Sequence, residues 1–243
     1  MTDVFISSRK DGENVSLPSS AVRTAVRSVV IAAMFMVLAS LSASAPPTPW
    51  HVYAFQGGVF HPLVLSRQQA ATLFVSQPSD LAATPSPEYV PSTWRITASA
   101  LADVTGDGSP EWVLVVWRPW RDWPIQSWST ASSPIAGFHD AAGESCHLIL
   151  LDPRDGREMW AGSALPAPIL ALAVGDVDGD GRSEVVTLEG DYATGRNGPA
   201  SRADVWKWNG FGFTLEWRSP PGIFHQLELT DSNDDGILDV AVR

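Results

Sequence analysis

Three short acidic segments, each running straight into an apolar stretch, limit the folds open to this chain. They are Asp103-Val-Thr-Gly-Asp-Gly-Ser-Pro-Glu111, Asp176-Val-Asp-Gly-Asp-Gly-Arg-Ser-Glu184 and Asp231-Ser-Asn-Asp-Asp-Gly-Ile-Leu-Asp239. Each has oxygen-bearing side chains at its first, third and fifth positions, glycine at the sixth and a carboxylate at the ninth. The stretches that follow, Trp-Val-Leu-Val-Val, Val-Val-Thr-Leu and Val-Ala-Val, are rich in the β-branched residues that suit a pleated surface. Glycine lets the chain turn sharply, and alternate side chains on a tight loop converge on one point. Converging hard oxygens suit Ca2+, which takes several of them. The candidate ligands are Asp103, Thr105, Asp107 and Glu111; Asp176, Asp178, Asp180 and Glu184; and Asp231, Asn233, Asp235 and Asp239.

An EF-hand is excluded by spacing. That loop needs a bidentate Glu at its twelfth position and a helix after it. Here the twelfth positions are Leu114, Thr187 and Val242, inside β-type runs. Asp and Gly also make ordinary turns. That accounts for one such loop more easily than for three in register. Ligand charge tunes calcium affinity, so the middle loop, with four carboxylates, is expected to bind tightest, and the first, with Thr105 at its third position, is weakened.

Charge points the same way. The chain has 16 basic and 27 acidic residues. Residues 1–45 hold four of the former (Arg9, Lys10, Arg23, Arg27) and three of the latter (Asp3, Asp11, Glu13), leaving 12 against 24 for residues 46–243. Eleven of those 24 acids lie in the three loops, which therefore need counter-ions. Phosphate binding needs clustered Lys and Arg. Residues 46–243 contain one lysine, Lys207, so no nucleic-acid partner is expected. The single cysteine, Cys146, excludes an intramolecular disulfide and a thiolate zinc site, and its setting Cys-His-Leu-Ile-Leu-Leu favours the core.

The N-terminus reads as targeting. A basic tail, residues 1–27, precedes an uncharged apolar segment, residues 28–45, which ends in Ala43-Ser-Ala45. That ending has the small-x-small form of a cleavage site, but Pro46 behind it fits signal peptidase poorly. Its length is near the lower limit for a bilayer span. The expectation is a single-pass membrane anchor with residues 46–243 extracytoplasmic, the alternative being a cleaved signal and a secreted domain.

Beyond Ala45 the pattern is β throughout, with one candidate helix at Ser66 to Val75. Trp50 to Leu63, Leu148 to Trp160 and Asp204 to Trp217 each alternate, turn at a glycine and alternate again, as hairpins do. Three acidic-loop hairpins and three glycine-turn hairpins suggest stacked or radial β architecture.

On these residues the loops resemble the calcium loops of FG-GAP and VCBS repeats, the units of integrin-α-like β-propellers. The resemblance covers residues 96–243 well and 50–65 weakly. It implies an all-β, propeller-like fold of about three four-stranded blades. One would use strands near 96–102, 111–117, 146–152 and 157–162, and a second 169–174, 184–189, 203–208 and 212–218. The third, starting at 224–229 and 238–242, lacks two strands, which the hairpin at 50–65 would supply. Closed propellers usually need four to eight blades, so a partial arc, a compact form or an oligomer-completed ring is implied. Pairing of 50–65 with 224–242 is expected within one chain or between two, with an exchanged homodimer preferred.

No catalytic constellation is legible. The five histidines are scattered without metal-ligand spacing, and there is no nucleophile elbow or phosphate-cradling loop. Ser145, Cys146 and His147 are consecutive, and strand neighbours point to opposite faces. Trp117, Trp120, Trp123 and Trp128, with Arg118 and Arg121 among them, are either an aromatic platform for a ligand or a loop folded over its own sheet. The expected function is a non-catalytic, calcium-binding extracytoplasmic module that presents a surface to a protein or glycan. The alternative is an accessory or divergent carbohydrate-active propeller that holds sugar on the tryptophan segment.

Overall fold

The apolar runs on either side of each acidic loop pair with one another, and each loop becomes the turn of an antiparallel hairpin. The computed structural model describes residues 49–66, 68–70, 90–119 and 137–243, all within one unit, Pro49–Arg243. The strands are β1 (His51–Gln56), β2 (Val59–Leu63), β3 (Arg95–Ala102), β4 (Glu111–Pro119), β5 (Glu144–Leu151) and β6 (Glu158–Ala161), then β7 (Ile169–Gly175), β8 (Glu184–Glu189), β9 (Arg202–Trp208), β10 (Phe213–Arg218), β11 (Leu227–Thr230) and β12 (Asp239–Val242). They form three four-stranded antiparallel sheets: β3-β4-β5-β6, β7-β8-β9-β10 and β11-β12-β1-β2.

The third sheet joins the N-terminal hairpin to the C-terminal one. β1 lies beside β12 with His51 opposite Val242, Val52 opposite Ala241 and Tyr53 opposite Val240. The edge of β12 is thus satisfied within one chain. The argument for exchange between two chains, that half a sheet would otherwise stand unpaired, does not apply.

Inner strands are covered on both faces and lose the alternation of a half-exposed strand. On one side of β4 and β5, Val113, Val115, Trp117, Cys146, Leu148 and Leu150 pack with Ile169 and Val185 of the second sheet. On the other side Trp112, Leu114, Val116, Ile149 and Leu151 pack with Val90, Trp94 and Ile96. The second and third sheets meet through Val186, Leu188, Ala203 and Val205 against Tyr53, Val240 and Val242. Each Val, Leu or Ile among them contributes roughly 1.5–3 kcal/mol when fully buried, so these layers hold the sheets in sequence. β7 packs against both β3 and β11, and no comparable contact joins β3 to β11.

A polar strap crosses the first interface. The Tyr192 hydroxyl donates to the Leu165 carbonyl at 2.9 Å and accepts from the Cys146 amide at 3.0 Å. Its ring meets Trp117 edge-on at 5.6 Å, and the Arg196 guanidinium lies 4.5 Å over Trp117 while pairing with Asp140 and Glu144. Trp117 is 1% exposed. It is a core residue of β4, not part of a ligand platform, because alternation turns it toward the second sheet. Trp120, Trp123 and Trp128 lie outside the described residues, as do the basic tail and the apolar segment 28–45. Of the expected helix at 66–75, residues 68–70 are helical and 71–75 lie outside the described residues. No described helix is long and apolar enough to cross a membrane. Cys146 is buried, and burial pushes its thiol up to about 12.

Candidate functional site

One hydrogen-bond frame builds all three loops. The first carboxylate accepts backbone N–H groups from farther round the turn: Asp103 from Gly106 at 2.7 Å and Gly108 at 2.8 Å, Asp176 from Gly179 at 2.7 Å and Gly181 at 2.9 Å, Asp231 from Asp235 at 3.1 Å and Gly236 at 2.9 Å. The fifth-position carboxylates of Asp107, Asp180 and Asp235 each accept the N–H two residues on. The ninth reaches back to the second: Val104 N–H donates to Glu111 at 3.0 Å, Val177 to Glu184 at 3.1 Å and Ser232 to Asp239 at 2.9 Å. The fourth and sixth positions are left-handed, with φ of 74° and 88° at Gly106 and Gly108, 75° and 84° at Gly179 and Gly181, and 61° and 85° at Asp234 and Gly236. The need for a left-handed fourth residue was missed in the sequence; the glycine shared by two of the loops was its signal.

The frame brings part of the expected ligand set together in the first two loops. Asp103, Asp107 and Glu111 place oxygens within 4.8 Å of one another, as do Asp176, Asp178 and Glu184. Thr105 does not stand free in the first loop: its hydroxyl donates to Glu111 at 3.1 Å. Asp180 lies outside the second trio and takes the Lys207 ammonium at 2.8 Å. The third loop keeps the frame, but its acids Asp231, Asp235 and Asp239 do not form such a carboxylate trio. Its third position is Asn233, where the second loop has the trio member Asp178.

The ninth carboxylates are the least comfortable groups in the fold. Glu111, Glu184 and Asp239 are each 1% exposed. Burial raises all three above the usual carboxylate range, Glu184 to about 7. Both oxygens of Glu111 accept hydrogen bonds, from Val104 N–H and the Thr105 hydroxyl. Glu184 Oε1 and Asp239 Oδ1 are buried without a hydrogen bond. A buried carboxylate oxygen without a hydrogen bond is costly, and a cation beside it lowers that cost; the Lys207 ammonium lies 3.4 Å from Glu184 Oε1. Buried carboxylate oxygens amid all-oxygen donor sets fit a hard cation.

The loops neighbour one another in series. A Cβ at Gly106 would lie 3.2 Å from Arg182 Nε, and one at Gly179 would lie 2.7 Å from Ile237 Cδ1. The seventh residue of one loop thus covers the fourth of the loop before it. The Leu238 amide also donates to the Asp176 carbonyl at 3.2 Å.

Two arrangements escaped the sequence. Ser145 and His147, two apart on β5, share a face, and Ser145 Oγ lies 2.8 Å from His147 Nε2. Nδ1 donates to the Gly162 carbonyl at 3.0 Å, which fixes the tautomer so that Nε2 accepts from the serine. Period-two alternation was the available signal. Ser145 and His147 are 1% and 5% exposed, so the pair is closed to solvent and serves as a buried polar link. The other arrangement is Lys207 at the second loop. Elsewhere, a cavity of about 230 Å³ is bordered by Leu170, Leu188, Arg196, Phe224 and His225, with no carboxylate in its lining.

Compared with models of protein families, with curated proteins and with solved structures, the chain matches none.

Proposed function

We propose that this chain is a calcium-binding, non-catalytic module of FG-GAP/VCBS type that presents a surface to a protein or glycan partner outside the cytoplasm. The observation that carries the metal reading is the buried ninth carboxylate. Glu184 Oε1 and Asp239 Oδ1 are buried, lack hydrogen bonds and belong to loops whose other donors are oxygens. Asp103, Asp107 and Glu111 would hold one ion, Asp176, Asp178 and Glu184 a second, and Asp231, Asn233, Asp235 and Asp239 a third. The ion supplies charge neutralisation and cross-links the two strands of each hairpin. Ca2+ is favoured over Mg2+ because it accepts irregular, carboxylate-rich sets of six to eight oxygens, whereas Mg2+ demands near-octahedral geometry. The three four-stranded sheets and the repeated loop spacing support the repeat-family reading.

The test is thermal unfolding of the purified 243-residue chain in chelator, in millimolar Ca2+ and in millimolar Mg2+. A ligand bound only by the folded state raises the melting temperature by mass action. Ca2+ should raise it more than Mg2+. Equal melting temperatures in chelator and Ca2+ would remove the metal reading.

A further inference from the structure

Lys207 is the one lysine in residues 46–243, and it points into the second acidic loop. Its ammonium donates to Asp178, lies 2.8 Å from Asp180 and sits 3.4 Å from Glu184 Oε1, the oxygen left without a hydrogen bond. Three of the four carboxylates at this loop's ligand positions therefore face one cation already carried by the chain. The placement follows from register. One step beyond the Val185–Trp206 pair of β8 and β9, Glu184 and Lys207 stand opposite each other. The same step in the first sheet, beyond Trp112–Leu151, leads from Glu111 to Asp152. In the third, beyond Tyr53–Val240, it leads from Asp239 to Ala54. Only the second sheet sets a basic residue there. In the first, the nearby Arg154 is engaged instead with Asp152, which it meets through two hydrogen bonds.

We propose that Lys207 is an internal counter-ion that competes with a divalent cation for the second loop, so that metal enters only as the ammonium swings out. This rests on the metal-binding reading above. Ca2+ draws its oxygens to 2.3–2.6 Å. Oxygens already turned onto an ammonium cannot close on a second cation at the same place, and two positive centres a few ångströms apart repel. The ammonium is a point charge on a flexible four-carbon stem, which lets it leave without moving β9. The exchange has an electrostatic gain: four acidic side chains are balanced by one positive charge with lysine and by two with the metal. Its cost is the loss of three polar contacts for the ammonium. The loop with the most carboxylates at its ligand positions is therefore not the tightest, which reverses the order that counting those carboxylates gives. The second loop is a site whose threshold is raised by a residue from the next strand.

The experiment compares the wild-type chain with Lys207→Met, which keeps most of the stem, Lys207→Gln, which keeps amide donors and folds where Met does not, and Lys207→Arg, which keeps the charge. Ca2+ itself is the probe, followed by calorimetric titration and by melting in chelator and in Ca2+. The neutral variants should bind calcium at one site at least tenfold tighter than wild type and melt lower in chelator, with Lys207→Arg retaining the weak site. Adding Asp178→Asn to Lys207→Gln should remove the gain. A calcium response in wild type that the neutral variants leave unchanged overturns the role of Lys207 alone. No calcium response in any of these chains overturns the calcium reading and the competition with it.

Discussion

Lowering the pH should unfold this protein partly through one buried imidazole. His147 is 5% exposed, donates from Nδ1 to Gly162 O and accepts the Ser145 hydroxyl at Nε2. The Ser145 hydroxyl can turn to accept from a second ring proton, but burial opposes the charge and the Arg118 guanidinium approaches Nδ1 at 3.4 Å. Burial, reinforced by Arg118 and opposed by the Gly162 hydrogen bond, pushes the imidazole down from 6.5 to about 4. Above pH 6.5 the ring is neutral folded and unfolded, so it takes no stability away. Between 6.5 and 4 the unfolded chain binds a proton that the folded chain refuses, and stability falls with pH. At about 1.4 kcal/mol per pH unit, the gap from 6.5 to about 4 corresponds to about 3 kcal/mol. Wild type and His147→Gln should be unfolded in urea at intervals from pH 7.5 to 4. Glu184, raised to about 7, works with the opposite sign in this window, its stability being lost as pH rises. The readout is therefore the difference between the two chains, in which Glu184 cancels. The wild-type advantage should shrink by about 3 kcal/mol on acidification. A difference that stays flat would refute the buried, neutral assignment.

The loop backbone offers further checks. Gly179→Ala and Gly181→Ala each force a side chain into the left-handed region and should cost about 1–2 kcal/mol in denaturation. Gly179 should lose more, because its Cβ would meet Ile237 at 2.7 Å while Gly181 faces open space; equal losses would contradict the stacking of loops. Asp234→Gly relieves the one left-handed non-glycine among the described residues, at φ 61°, and should stabilise the ion-free chain by about 0.5–1 kcal/mol; a loss would show that this side chain contributes to the loop. Val52→Cys with Ala241→Cys places two thiols directly opposite across β1 and β12, within disulfide range for paired strands. Oxidation should give cross-linked monomers, and cross-linked dimers would restore exchange between chains.

Much of the architecture was legible because it repeats. Each acidic loop announces a turn, and each apolar run beside it a strand. The strands read from sequence at 111–117, 184–189 and 238–242 lie at Glu111–Pro119, Glu184–Glu189 and Asp239–Val242. Counting strands also left half a sheet unpaired at the C-terminus and a spare hairpin at the N-terminus, and these meet as β12 and β1. Such features are local in sequence, or follow from the rule that edges be satisfied.

Other features depend on distances that sequence does not carry. The second and third loops share their spacing, yet three carboxylates converge in the second and not in the third. Trp117 belongs to a tryptophan-rich segment, but the sheet packed beside it makes it core. Lys207 follows Asp178 by 29 residues and meets it only through the register of β8 and β9. Composition showed an acidic chain with a single lysine in residues 46–243 and made cation binding an expectation. Which loop receives one from the chain itself was decided by how two strands align, because charge acts through space and the register sets the space.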